Sequence, residues 1–262
     1  IHAFTDTLFS GNPAGVCLLS KPVWPRPEVM QQVAQENNLP ETAFILKQAG
    51  GWHIRWFTPA FEMDLCGHAT LASGFVVLNH AEPGAGQVCF HSPSGPLTVA
   101  QQGGRYILDL PARPPAPVAT PAGLEAALGA PVVRCLAARD LIVQLETPQE
   151  VAGLHPDFGA MGRIEGYMGF VPTAGAAGTP WNCDFVSRFF DPHDAIIEDP
   201  VTGSAHCSLV PFWAEALGRP DLVARQLSSR GGTLWCRSLG DRVALAGHAV
   251  LYLQGRLTLP ES

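Results

Sequence analysis

Lysine is nearly absent from this chain. Lys21 and Lys47 are the only two in 262 residues, and no run of Lys and Arg occurs anywhere. With a formal net charge of −7 and a pI near 5.7, the chain lacks the basic surface that phosphate backbones require, so nucleic acid is not an expected partner. None of the seven cysteines (Cys17, Cys66, Cys89, Cys135, Cys183, Cys207 and Cys236) pairs with another as Cys-x-x-Cys, so neither a zinc knuckle nor a redox dithiol is signalled. No apolar run approaches the ~20 residues that span a bilayer. No basic stretch followed by an apolar core marks a signal peptide, and no nucleophile elbow or Ser-His-Asp signature points to a hydrolase. Charged residues make up only 15% and hydrophobic ones 47%, enough for a sizeable core in one large domain or two ordinary ones. The expectation is a soluble, cytoplasmic protein with free thiols and no membrane contact.

What is present is a repeat. Arg55-Trp56-Phe57-Thr58-Pro59 returns as Arg188-Phe189-Phe190-Asp191-Pro192, 133 residues on. After each comes an acid, four spacers and a glycine that opens an apolar run: Glu62 to Gly67, then Glu198 to Gly203. Two halves on one plan follow, with two glycine-started helices expected to face each other across a cleft. The proline-rich stretch Pro111 to Pro117 reads as the linker, which gives an N-terminal half of 1–117 and a C-terminal half of 118–262. The last strand, about 249–258, is expected to return to the first half. Pro172 to Pro180, rich in Gly and Ala, reads as a loop.

Strands are expected over His53–Phe57, Tyr106–Leu110, Leu141–Leu145, Asp184–Phe190, Arg242–Leu245 and Ala249–Leu253. Glu28 to Asn37 has helical spacing, and Glu125 to Leu128 reads as a short helix closed by Gly129. The runs His68–Leu78 and Ser204–Leu217 carry almost no charge on any face, and a helix apolar all round is a buried helix. The fold class expected is α+β, with two pseudo-symmetric halves, each a curved, mainly antiparallel sheet around a buried central helix.

The first N–H groups of a helix lack intrahelical partners and carry the positive end of its dipole, so Gly67 and Gly203 are candidate anion-binding positions. Tight turns entering helices are the competing reading. Glu41, a lone acid before an apolar run, would work as a general acid and base if buried; the pattern alone favours a turn or surface acid. His68 and Asp199 stand at the two helix starts and could act on one proton, or be a core histidine and a helix-entry acid. Cys66 precedes Gly67, but the matching place in the second half holds Pro200, Val201 and Thr202, so a two-thiol racemase lacks its partner. The remaining histidines have no metal-ligand spacing.

Taken in order, Asp6-Thr7-Leu8-Phe9-Ser10-Gly11-Asn12-Pro13-Ala14-Gly15-Val16, Leu39-Pro40-Glu41-Thr42-Ala43-Phe44, Phe57-Thr58-Pro59, Gly67-His68-Ala69-Thr70 and Glu198-Asp199-Pro200-Val201-Thr202-Gly203-Ser204-Ala205 resemble the phenazine-biosynthesis (PhzF-like) isomerases over nearly the whole chain. That family shares its fold with diaminopimelate epimerase. The resemblance implies an active site between the halves, no metal and no organic cofactor. It implies Glu41 as catalytic acid/base, His68 and Asp199 as its helpers, and Gly67 and Ser204 as substrate-holding positions, to which the helix-start argument adds Gly203. It also implies a small anionic metabolite as substrate and a homodimer. His2 stands where the family usually has Asp, and Asp64-Leu65-Cys66 replaces its frequent Pro-Phe-Ala. Competing functions are an amino-acid racemase or epimerase and a non-catalytic relative that only binds.

Overall fold

The structure is a computed structural model and describes residues 1–194 and 196–260. The chain folds as two compact units, Ile1–Asp109 with Ala246–Ser262, and Leu110–Leu245.

The first unit runs β1 (His2–Ala3), β2 (Asn12–Leu18), α1 (Pro27–Asn37), β3 (Glu41–Gln48), β4 (Gly51–Phe57), β5 (Glu62–Met63), α2 (Gly67–Val76), β6 (Gln87–Ser92), β7 (Gly95–Gln102) and most of β8 (Arg105–Pro111). The second holds β9 (Ala116–Val118), α3 (Leu124–Leu128), β10 (Arg134–Ala137), β11 (Leu141–Gln144), α4 (Pro148–Ala152), α5 (Phe158–Met161), β12 (Phe170–Gly175), β13 (Phe185–Ser187), α6 (Gly203–Leu217), β14 (Asp221–Gln226), β15 (Gly232–Ser238) and most of β16 (Arg242–Gly247). The chain then re-enters the first unit with β17 (Ala249–Val250), which pairs with β1.

The two units repeat one pairing pattern. In the first, β1–β2 is antiparallel, β2–β3 parallel, β3–β4 antiparallel, β4–β6 parallel and β6–β7 antiparallel. In the second, β10–β11, β11–β12, β12–β13, β13–β14 and β14–β15 follow the same alternation. Parallel neighbours need a crossover, usually helical. The two buried helices supply the later one in each unit: α2 lies between β4 and β6, and α6 between β13 and β14. In the first unit α2 packs against β1, β2, β3, β7 and β17, strands from both ends of the sheet, so the sheet curves around it. Every residue from Gly67 to Gly74 is buried. The approach is close: a Cβ at Gly74 would lie 2.4 Å from Val99 Cγ1. The helix then loosens into a π turn, Val77–Ala81, closed by Glu82 N–H to Val77 O at 2.7 Å.

Helix α6 contains Pro211. A proline has no N–H, so the carbonyl four residues earlier loses its donor. That carbonyl is Cys207 O, and it accepts instead from Arg113 N–H at 2.9 Å. Ala112 N–H likewise donates to Asp241 O at 2.8 Å. The stretch expected to be a linker is therefore docked, and part of it is β9, paired with β10.

Three local expectations change. Pro172 to Gly175 is not loop but the end of β12, because Val171 and Ala174 are fully buried and Thr173 pairs with Ser187. The strand expected over Asp184–Phe190 is confined to Phe185–Ser187, with Phe190 bridging separately to Phe170 and Glu198. The strand expected over Ala249–Leu253 is only Ala249–Val250, since β1 offers just His2 and Ala3 as partners.

The sequence repeat has a direct structural counterpart. Arg55 donates through Nε and Nη2 to the two carboxylate oxygens of Glu62, at 2.6 Å each. Arg188 does the same to Glu198, at 2.7 and 3.0 Å. The second fork is the drier one, with side chains 12% and 23% exposed against 22% and 34%, and Arg188 Nη1 also donates to Leu154 O at 2.7 Å. Charge-assisted hydrogen bonds contribute about 1.5–3 kcal/mol when shielded and exposed pairs under about 1 kcal/mol. A double-mutant cycle with Arg188→Met and Glu198→Gln, measured by urea unfolding, is expected to give a coupling of about 2 kcal/mol, larger than that of Arg55→Met with Glu62→Gln. Equal couplings would contradict this ranking.

Candidate active site

The catalytic candidates of the first unit meet at the start of α2. Gly67 is its first residue and Cys66, in extended backbone, its N-cap. His68 follows, 4% exposed. Its Nε2 lies 3.1 Å from Glu41 Oε2, where Glu41 begins β3 with a side chain 16% exposed. The two atoms are in ion-pair range rather than in hydrogen-bond alignment; neither has a hydrogen-bond partner, and both are buried. On the other ring nitrogen, Nδ1 lies 3.2 Å from Asn12 Nδ2 and 3.6 Å from Cys66 Sγ. Asn12 opens β2 and is fully buried. It is delivered there by Gly11, whose φ is +66° and where a Cβ would sit 2.2 Å from Ala3 O.

Charge in this cluster is strongly coupled. Burial by itself would lower the His68 imidazole, but the acidic groups beside it, the Cys66 thiol and the Glu41 carboxyl, outweigh that and hold it well above the ordinary histidine value. Burial, reinforced by the Glu41 charge, pushes the Cys66 thiol up. The sulfur therefore keeps its proton near neutrality, and Glu41 is the charge that supports a protonated ring. Ligand-capable atoms of Glu41, Cys66 and His68 lie within 4.8 Å of one another. The nearest contact of the thiol is with Nδ1 and that of the carboxylate with Nε2, so the imidazole stands between them.

The second unit gathers the other three candidates at the start of α6. Gly203 is its first residue, and Thr202 is its N-cap, the counterpart of Cys66. The Thr202 side chain does not cap the helix. Its hydroxyl donates to Asp199 Oδ2 at 2.6 Å and accepts from Gln226 Nε2 at 3.1 Å. Gln226 also accepts from Thr202 N–H at 2.9 Å and donates to Asp199 O at 2.7 Å, so one fully buried side chain pins the whole Asp199–Thr202 turn. Ser204 Oγ accepts from Arg139 Nη2 at 2.8 Å, which leaves the serine O–H to donate elsewhere. Arg139 is flanked by the buried Asp140, whose carboxyl burial raises. Asn12, Arg139 and Gln226 escape sequence reasoning; only Asn12, inside the Gly-Asn-Pro motif, carried any signal.

An open cavity of about 350 Å³ lined by Ala177, Gly178, Thr179, Asn182, Cys183, Asp184 and Val223 includes none of the candidate residues. Its acid, Asp184, is already taken by Arg219 and by Val223 N–H.

A parallel crossover through a buried helix, repeated in both units, is the architecture of the racemase and epimerase folds. A hydroxyproline epimerase from Agrobacterium vitis superposes with a TM-score of 0.56 at 11% identity, over 92% of this chain and 88% of that one, a likeness of fold. A PhzF-family phenazine biosynthesis protein from Enterococcus faecalis superposes far more closely, with a TM-score of 0.91 at 42% identity, over 96% and 95%. The family described as "Phenazine biosynthesis-like protein" matches residues 1–255. An uncharacterised isomerase of Pseudomonas aeruginosa, PA3578, is 48% identical over 261 residues, 99% of this chain and 97% of that protein. The chain belongs to the PhzF family. Among the described residues no helix is long and apolar enough to cross a membrane.

His206, in the first turn of α6, is fully buried, with Nδ1 2.8 Å from Thr202 O. Burial lowers its pKa from 6.5 to about 4. The folded state therefore keeps it neutral while the unfolded chain protonates. Its contribution is fully present above pH ~6.5 and is lost as pH falls towards 4, amounting to about 3 kcal/mol. Unfolding free energies between pH 7 and 4 are expected to fall less steeply in His206→Asn than in wild type. Parallel curves would show that His206 does not carry this term. His68, raised, has the opposite sign: its contribution is present below pH ~6.5 and fades as pH rises through its folded value.

Proposed function

We propose that this protein is an isomerase that moves a proton within a small carboxylate-bearing metabolite, using Glu41 as acid and base and needing no metal or organic cofactor. The observation that carries the reading is the Glu41–His68 contact: a carboxylate and an imidazole 3.1 Å apart, both atoms buried and otherwise unpartnered. A carboxylate oxygen in such surroundings can take a proton from carbon, and the adjacent ring can hold or return it. Membership of a family whose relatives are named as isomerases supports the class. Asp199, Gly203 and Ser204 are proposed to act on the same substrate, on the strength of the repeated motif. The helix starts at Gly67 and Gly203 would hold its anionic group. A homodimer in the cytoplasm belongs to the same reading, and light scattering after size exclusion tests the dimer.

The racemase alternative needs a thiol on each face of the substrate. The counterpart of Cys66 at the second helix start is Thr202, which supports the carboxyl mechanism. A protein that only binds would have no use for an acid/base pair held this close.

Solvent-deuterium incorporation, followed by mass spectrometry across a panel of small unsaturated and amino carboxylates, tests the proposal. Label is expected with wild type, with Cys66→Ala, and after exhaustive chelation. Glu41→Gln is expected to lose about 10²–10⁴-fold in rate, the scale of an acid/base group. A Glu41→Gln enzyme at full rate, or a loss of about 10³-fold in a folded Cys66→Ala, would overturn it.

A further inference from the structure

We infer that Asn12 is the positioning residue of the site, holding the His68 ring so that Nε2, and never Nδ1, faces Glu41. The inference deepens the proposed isomerase reading and rests on it for its catalytic consequence, though not for its structural one.

An imidazole can turn over about its Cβ–Cγ bond and can carry its neutral-state proton on either nitrogen. Which nitrogen is protonated is set by what the other one bonds. Two groups compete for Nδ1 of His68. Asn12 Nδ2 stands 3.2 Å away, a normal length for an amide donor, while Cys66 Sγ stands at 3.6 Å and a thiol is a weak donor. The amide is therefore the stronger partner. When it donates, Nδ1 is the acceptor, and the neutral ring's proton lies on Nε2, the nitrogen 3.1 Å from Glu41 Oε2. When the ring takes a second proton, Nδ1–H needs an acceptor, and the same amide turned over presents Oδ1. An asparagine serves both states; a carboxylate or an alkyl group serves one or neither. Its backbone leaves little freedom to do otherwise, with Gly11 in a conformation that favours glycine before it and Pro13 paired to His2 after it. The titratable groups that face the ring are Glu41 and Cys66.

A proton shuttle that must alternate between two states benefits from a partner that is neutral in both. Asn12→Asp places a charge on Nδ1, draws the proton to that nitrogen and locks the ring cationic. Asn12→Ala leaves Nδ1 to the thiol alone.

The test is ¹⁵N-resolved NMR of the His68 ring nitrogens across a pH titration, with circular dichroism as the control for folding. Wild type is expected to show its neutral form protonated at Nε2, and Cys66→Ala the same. Asn12→Asp, nearly isosteric, is expected to raise the His68 titration by about one pH unit or more and to protonate Nδ1. On a substrate found by deuterium exchange, Asn12→Ala is expected to lower kcat about 10–100-fold, with KM little changed, and to displace the pH profile. A wild-type neutral ring protonated at Nδ1 would overturn the inference, as would an Asn12→Asp titration that coincides with wild type. These NMR outcomes need no turnover, so they stand apart from failure of the isomerase reading.

Discussion

An arginine forked onto a glutamate, once in each unit, is the constraint on which the rest of this structure hangs. Arg55 lies two residues before the end of β4, and Arg188 directly follows β13. Glu62 and Glu198 lie just ahead of the next helix, each five residues before its glycine. A guanidinium with two parallel N–H groups fixes direction as well as distance, so the segment between strand and helix cannot swing. The helix start is thereby held, and with it the groups that depend on its first turn: Cys66 and His68 in one unit, Thr202 and Ser204 in the other. The aromatic residues of the motif extend the grip, with Phe57 and Phe190 beneath their arginines at 5.4 and 4.8 Å.

The two helix starts share geometry and differ in chemistry. At α2 the polar groups are titratable and meet in a buried cluster. At α6 they are a hydroxyl–carboxylate pair and a serine whose oxygen is occupied by arginine. The same scaffold thus carries a titratable cluster at one helix start and a network of donors and acceptors at the other. Neither helix uses a side-chain cap, so the first amides of both are left without a capping side chain.

The plan of the fold was legible because it is written in local, redundant signals. An uncharged run such as His68–Leu78 can only be buried, a glycine such as Gly129 or Gly218 ends a helix with positive φ, and the repeat states the symmetry outright. Glu41 and His68 were legible as candidates, but their meeting was not, since the β3–β4 hairpin and the short β5 lie between them in the chain. Asn12, Arg139 and Gln226 act over separations of 56, 65 and 24–27 residues, and nothing in their neighbours' composition announces a partner so far away. The misread stretch Pro172–Gly175 shows the limit of composition. Proline and small residues suggest a loop, yet β12 is parallel to one neighbour and antiparallel to the other, with its side chains buried on both faces, and there small residues pack well.

Pro211 is a break in α6 that the protein has turned into a joint. Because the freed Cys207 carbonyl is filled by the amide of Arg113, the middle of the central helix is completed by a residue from the far end of its own unit. That amide sits in a stretch so rich in proline that composition alone would leave it open to solvent. In native-state hydrogen exchange that amide is expected to fall in the slowest class, released when the unit opens as a whole. The most loop-like part of the chain thus carries one of the marks of its global stability.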